Sequence, residues 1–217
     1  LREILANEQL VLDIIKEELL EIKEKYGDER KTKIVAAEGD INVEDLIKEE
    51  QTVVALTHFG YIKRMPIDTY RSQKRGGKGI TGISTREEDF VKQIFTASTH
   101  DTILFFSNKG KLYRLRGYEV PEAGRTAKGT AIVNLLSLDA DEKVTAIMPI
   151  QNFADGKYLL FATKNGLIKK TALKEYDSTR KTGLLAITLK DDDELIDVRL
   201  TDGEDNVVLV TSKGMCI

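Results

Sequence analysis

The stretch with the clearest chemical potential is a short loop that combines three cations with three glycines. It reads Gln73, Lys74, Arg75, Gly76, Gly77, Lys78, Gly79. Glycine has no Cβ, so backbone N–H groups around it can approach and surround an anion. Lys and Arg bring positive charge to the same place. The loop therefore predicts phosphate binding, but its spacing matches neither a Walker A loop nor a dinucleotide fingerprint, which argues against a nucleotide.

Residue types used in catalysis and metal binding are sparse. The two histidines, His58 and His100, lie in turn-like contexts without a Ser or Cys partner in a known motif. Cys216, the single cysteine, ends an apolar strand and is expected to pack in the core. No Cys/His spacing resembles a zinc site. We therefore expect no catalytic residue, no metal site and no cofactor site in this sequence.

Composition and charge narrow the class of protein. The 217 residues are 41% hydrophobic and 32% charged, which is typical of one or two globular domains. A single cysteine excludes internal disulfides and fits a reducing compartment.

Residues 1–50 hold 8 Lys and Arg against 15 Asp and Glu, whereas the remainder holds 25 against 21. A basic body behind an acidic arm favours a nucleic-acid partner. The abrupt ends of the sequence suggest a fragment.

The acidic arm divides into a helix and a linker. Over residues 1–26, apolar residues recur at steps of three and four, and Gly27 is placed to end the helix. This pattern fits either an amphipathic helix packed on a domain or the end of a coiled-coil arm. Residues 28–50 are polar apart from Val43–Ile47, and they predict a linker.

From residue 51 the sequence predicts strands in a repeated design. Each repeat opens with an apolar strand, a tight turn that ends in glycine, and a returning strand, as in a short hairpin. The turn glycines, Gly60, Gly110, Gly166 and Gly214, are separated by 50, 56 and 48 residues. This period is typical of four-stranded propeller blades. The sequence holds three complete repeats and the first hairpin of a fourth, so the ring is expected to be incomplete.

Basic residues recur at two places in each repeat. The returning strand carries Lys63, Arg64, Lys111, Arg114, Arg116, Lys169 and Lys170. The loop that follows carries Arg71, the Gln73–Gly79 cations, Arg125, Lys128, Arg180 and Lys181. Because a repeated position recurs around a ring, these cations predict a curved positive rim that binds bent duplex DNA by shape. The alternative is that they are the ordinary solvent face of edge strands.

An acidic position recurs as well, at Glu87–Asp89, Asp139–Glu142 and Asp191–Glu194. The last cluster taken alone suggests a Ca²⁺ or Mg²⁺ loop. Its recurrence without fixed ligand spacing instead favours a solvated turn that connects strands.

The loop resembles a known signature. Gln73–Gly79 agrees at six of seven positions with the Q-R-R-G-G-K-G box of the C-terminal domains of DNA gyrase A subunits, with Lys74 in place of Arg. Thr57–Arg64 resembles the opening of that domain, and Glu21–Arg30 the end of the preceding breakage–reunion domain. The related topoisomerase IV subunits usually carry a degraded box or none, which favours gyrase.

The resemblance implies a mainly β fold, a β-pinwheel preceded by an N-terminal helix, with four-stranded blades and a DNA-wrapping rim. It implies three parts: residues 1–34 as the end of a coiled-coil arm, 35–50 as a linker, and 51–217 as a partial β-pinwheel. In that family the full cytoplasmic A2B2 enzyme uses ATP and Mg²⁺ to introduce negative supercoils into DNA. Two alternatives stay open, namely a propeller that binds an acidic protein and a fragment that acts mainly as a hinge.

Overall fold

The computed structural model describes residues 4, 6–29, 31–32, 43–69, 85, 88–177 and 183–217. The chain divides into two compact units, Leu1–Ile41 and Asn42–Ile217. The first unit contains helix α1, Glu8–Tyr26. The second, the strand unit, contains eleven strands in its described part. They are β1 Gln51–Thr57, β2 Tyr61–Pro66, β3 Val91–Ser98, β4 Thr102–Ser107, β5 Lys111–Arg116, β6 Thr130–Ala131, β7 Val144–Ile150, β8 Tyr158–Thr163, β9 Ile168–Ala172, β10 Leu184–Leu185 and β11 Leu195–Thr201.

Helix α1 confirms the predicted helix over most of its length. The side chain of Asn7 accepts a hydrogen bond from the Gln9 N–H and caps the first turn. Gly27 ends the helix as predicted, and its N–H donates to the Lys23 carbonyl at 2.8 Å. None of the described side chains of α1 is buried. No helix in the described ranges is long and apolar enough to cross a membrane.

The predicted hairpins are confirmed, and a hydroxyl residue opens each turn. In the first, the Gly60 N–H donates to the Thr57 carbonyl, and the Tyr61 N–H donates to the Thr57 hydroxyl. Ser107, Thr163 and Thr211 do the same before the other three turn glycines. In the fourth hairpin, Val210 and Cys216, on either side of the turn, form a single antiparallel β-bridge. Cys216 is exposed there, so the expectation of a core cysteine is wrong.

The strands form three antiparallel sheets, ordered β3-β1-β2-β6, β10-β5-β4-β7 and β11-β8-β9. In the first two sheets the fourth strand comes from the following repeat. β6 pairs with β2, and β10 pairs with β5. The turn glycines receive these strands, since the Gly60 carbonyl accepts from Ile132 and the Gly110 carbonyl from Ala186 and Ile187. Each repeat is therefore fastened to the sheet before it.

Two apolar clusters lie between successive sheets. The first joins side chains of the first and second sheets, including Val54, Ile62, Phe105 and Tyr113. The second joins the second and third sheets, where Phe106 meets Phe161 edge to face with ring centroids 5.7 Å apart. Because both faces of the second sheet are covered, β4 is buried along its whole length.

The acidic position of each repeat is a turn whose described residues are mostly exposed, as the sequence suggested, but one carboxylate of each, Asp89, Glu142 or Asp193, is buried. Asp89 Oδ1 accepts the N–H groups of Phe59 and Phe90, and it thereby ties the hairpin turn to the strand that follows. Asp193 repeats this arrangement with Asn165 and Glu194. These contacts explain the recurrence of acidic residues by turn geometry.

Acid is expected to destabilise these turns. Burial by itself would raise the pKa of Asp89 and Asp193, but hydrogen bonds from Thr57 or Thr163 and from backbone N–H groups outweigh it and lower the pKa. A carboxyl group whose pKa is lower in the folded than in the unfolded protein stabilises the fold at pH values above its unfolded pKa of about 3.9. This stabilisation is lost as the pH falls through the folded pKa. Thermal unfolding between pH 7 and pH 2.5 should show a decline that starts near pH 4. The double variant Asp89→Asn, Asp193→Asn should decline less, and an equal decline would contradict this assignment.

Candidate nucleic-acid interface

Part of the predicted interface lies outside the described residues. This applies to the Gln73–Gly79 loop, Arg71, Arg180 and Lys181. The chain enters the loop from β2 through a single helical turn, Ile67–Thr69. The remaining predicted cations are described, and they fall into three groups according to what their charged ends contact.

The cations of β2 face a neighbouring loop instead of solvent. Lys63 is only 2% exposed. Its Nζ donates to the carbonyl oxygens of Gly124, Arg125 and Ala127 at 3.2, 2.8 and 2.7 Å. Burial lowers the pKa of Lys63. The structure therefore places Lys63 inside the unit and not on an exposed rim, because the next repeat folds its loop over this face of β2.

Arg64 holds the start of the same loop. Its Nε donates to the Val120 carbonyl at 3.1 Å, and its backbone exchanges hydrogen bonds with Pro121 and Ala123. The guanidinium is 11% exposed and lies 3.4 Å from the Glu122 carboxylate. Two adjacent residues, Lys63 and Arg64, thus fasten the segment 120–127 to the first sheet.

The cations of β5 are occupied as well. Lys111 bonds the Asp139 carboxylate, which raises the pKa of Lys111 and lowers that of Asp139. The Arg114 guanidinium lies over the Phe153 ring, 5.6 Å from its centroid, and its buried Nη1 has no hydrogen-bond partner among the described residues. These contacts leave less positive charge on this part of the rim than the sequence suggested.

Arg116 joins the second sheet to the segment Val43–Glu50. Its Nη2 lies 3.1 Å from the Glu44 carboxylate, and its Nη1 donates to the His100 carbonyl at 3.1 Å. His100 Nε2 in turn donates to the Ile47 carbonyl at 2.9 Å. The second half of the predicted linker is therefore attached to the strand unit.

Four predicted cations remain available to a ligand. Lys128, Lys169 and Lys170 are exposed, and Arg125 is half-buried. Lys170 Nζ lies over the Tyr158 ring, 4.8 Å from its centroid, which fixes its direction. None of the four has an ion pair with another described residue. Such unpaired cations suit the phosphates of a polyanion.

The repeat pattern corresponds to a known family. The model described as "DNA gyrase C-terminal domain, beta-propeller" matches residues 51–98, 101–151 and 157–202, most of the strand unit. The chain belongs to this family. Each matched segment corresponds to one sequence repeat. β6 lies in the second segment but completes the first sheet, and β10 lies in the third segment but completes the second sheet.

The sequence relatives are A subunits of DNA gyrase. The chain is 57% identical to the DNA gyrase A subunit of Clostridium acetobutylicum over 217 residues, all of this chain and 26% of that protein. It is 56% identical to the DNA gyrase A subunit of Halalkalibacterium halodurans, again over all of this chain and 26% of the relative. The chain thus spans about a quarter of the length of these relatives.

Two solved structures share the gyrase-family fold. The C-terminal domain of DNA topoisomerase IV aligns with a TM-score of 0.67 and 32% identity, covering 79% of this chain and 52% of that one. The DNA gyrase A C-terminal domain aligns with a TM-score of 0.56 and 28% identity, covering 77% and 53%. The mainly β, pinwheel-type fold predicted from the sequence is confirmed.

Proposed function

We propose that the strand unit binds duplex DNA and wraps it, as the C-terminal domain of a bacterial gyrase polypeptide of the A type. One observation carries the proposal: the chain belongs to the gyrase C-terminal family. The near-complete box at Gln73–Gly79 supports it. The recurring exposed cations Lys128, Lys169 and Lys170 support it, because unpaired cations on successive repeats can neutralise successive phosphates.

The whole protein is proposed to be a type IIA topoisomerase that acts in the cytoplasm. In it two A subunits and two B subunits would assemble, and ATP and Mg²⁺ would be used by parts other than this domain. The strand unit would supply DNA bending and orientation, and the catalytic steps would take place elsewhere. This division agrees with the sequence, which contains no recognised catalytic or nucleotide-binding motif.

Loss of the box cations tests the proposal. The triple variant Lys74→Ala, Arg75→Ala, Lys78→Ala is expected to abolish bending of duplex DNA while part of the binding survives through the other cations. Bending is measured by energy transfer between the ends of a labelled duplex, and binding by fluorescence anisotropy at several salt concentrations. Affinity should fall steeply with salt in the unmodified chain and vary little with sequence.

A matched control removes the same charge elsewhere. The variant Lys16→Ala, Lys23→Ala, Lys25→Ala takes three exposed cations from helix α1 and should leave bending unchanged. Unchanged bending in the box variant would reject the role of the box. Weak binding without any bending in the unmodified chain would favour the alternative of a propeller that binds an acidic protein.

The alignment with the topoisomerase IV domain supports a second candidate, the corresponding domain of topoisomerase IV. The box favours gyrase, since it is the feature that topoisomerase IV subunits usually lack. Strong bending that depends on Lys74, Arg75 and Lys78 would favour gyrase, and bending independent of them would favour the second candidate.

A further inference from the structure

The loop Gly124–Gly129 has an unusual arrangement of backbone groups. Three of its carbonyl oxygens, those of Gly124, Arg125 and Ala127, converge on the single buried ammonium of Lys63. A trans peptide is planar, with its N–H directed opposite to its C=O, and the described chain contains no cis peptide. The three N–H groups that share these peptides therefore point away from the Lys63 ammonium and diverge from one another.

Those N–H groups belong to Arg125, Thr126 and Lys128. None of them donates to a described residue, whereas the neighbouring Ala127 N–H closes the turn onto the Gly124 carbonyl at 3.1 Å. Thr126 and Lys128 are exposed, and Arg125 is half-buried. These three N–H groups lack acceptors among the described residues, so each can donate to an anion outside the loop.

The charges around the loop favour the same ligand. The side chains of Arg125 and Lys128 flank the N–H groups and have no ion pair among the described residues. The nearest acid along the chain, Glu122, lies 3.4 Å from the Arg64 guanidinium, which compensates its charge. The site thus combines backbone donors with two cations, a combination suited to a phosphate.

The loop also lies beside the entrance to the box. Pro66, the last residue of β2, and Thr69, in the helical turn after it, line an open groove of about 450 Å³ together with Glu122, Ala123 and Gly124. Thr69 is the last described residue before the box. The groove therefore links the start of the loop Gly124–Gly129 to the residues that precede the box in sequence.

We infer that the N–H groups of Arg125, Thr126 and Lys128, with the two flanking side chains, contact backbone phosphates of duplex DNA. Lys63 is a positioning residue for this site and does not itself contact DNA. The inference rests on the proposed function of the strand unit. It differs from that proposal because it assigns the contact to backbone N–H groups whose orientation is set by Lys63 of the preceding repeat.

Amide shifts measured by NMR test the site in the full 217-residue chain. Titration with a duplex of about 20 base pairs should move the amide signals of Arg125, Thr126 and Lys128 downfield. Binding with shifts elsewhere but none at these amides would overturn the site and leave DNA binding intact. Absence of any binding would instead overturn the proposed function. Inorganic phosphate at the same concentration of phosphate groups should have little effect, and equal shifts would overturn the assignment to DNA.

Two variants test Lys63. Lys63→Met keeps all but the last atom of the side-chain length and removes the donor, so the duplex-induced shifts at these three amides should be lost. Shifts near Lys169 and Lys170, in the third repeat, should persist. Lys63→Gln, which keeps two donors, should retain part of the local response. Unchanged local shifts in Lys63→Met would overturn the positioning role, and so would failure of both variants to fold, which would assign Lys63 to overall stability.

Discussion

Replacing Phe161 by alanine is expected to destabilise the strand unit by about 3–5 kcal/mol. Phe161 is 0% exposed and lies on β8 of the third sheet. Its ring packs edge to face on Phe106 of the second sheet and lies 5.9 Å from the Tyr176 ring. Alanine would leave a cavity between two sheets that are held together mainly by this cluster. Thermal unfolding followed by circular dichroism should show a midpoint lower by roughly 6–20 °C.

A matched aromatic substitution separates this effect from a general loss of apolar surface. Phe59 is 54% exposed and lies in a hairpin turn, where its backbone N–H contacts Asp89. Phe59→Ala should therefore cost less than about 1 kcal/mol. If both variants unfold at similar temperatures, the cluster between the second and third sheets does not stabilise the unit in the way we infer.

The hairpins were predictable because their signals are local. A β-branched or aromatic strand followed by a tight turn that ends in glycine specifies a hairpin regardless of the rest of the chain. The exchanged strands were not predictable in this way. β6 and β10 are two residues long, and β6, Thr130–Ala131, has no alternation of its own. Their pairing is decided by contacts with a strand of the preceding repeat, which is distant in sequence in each case.

The cations show a similar limit. Recurrence predicted that basic residues occupy equivalent positions, and it did so correctly for the returning strands. Whether such a residue faces solvent depends on what covers the strand. Lys63 and Lys169 occupy the same position after their turn glycines, yet Lys63 is buried under the loop of the next repeat and Lys169 is exposed. The covering loop is distant in sequence, so no pattern around Lys63 reveals its contacts.

Attachment of one repeat to the next can be tested at two glycines that occupy the same turn position. Gly110 and Gly166 have φ values of +74° and +83°. Alanine at either position should therefore cost about 1–2 kcal/mol from the left-handed conformation alone. Their surroundings differ. A Cβ on Gly110 would lie 2.6 Å from the Ile187 carbonyl oxygen, whereas a Cβ on Gly166 would meet nothing within 4 Å.

Gly110→Ala should consequently cost about 1–3 kcal/mol more than Gly166→Ala, because the segment that follows β10 must move away from the Gly110 carbonyl. That carbonyl accepts the N–H groups of Ala186 and Ile187 at 2.9 and 3.2 Å. Urea unfolding gives the difference in stability, and amide hydrogen exchange locates it: Ala186 and Ile187 should exchange faster in Gly110→Ala and at the unmodified rate in Gly166→Ala. Equal losses in the two variants, with unchanged exchange at Ala186, would mean that the contact at Gly110 does not fasten the third repeat to the second sheet.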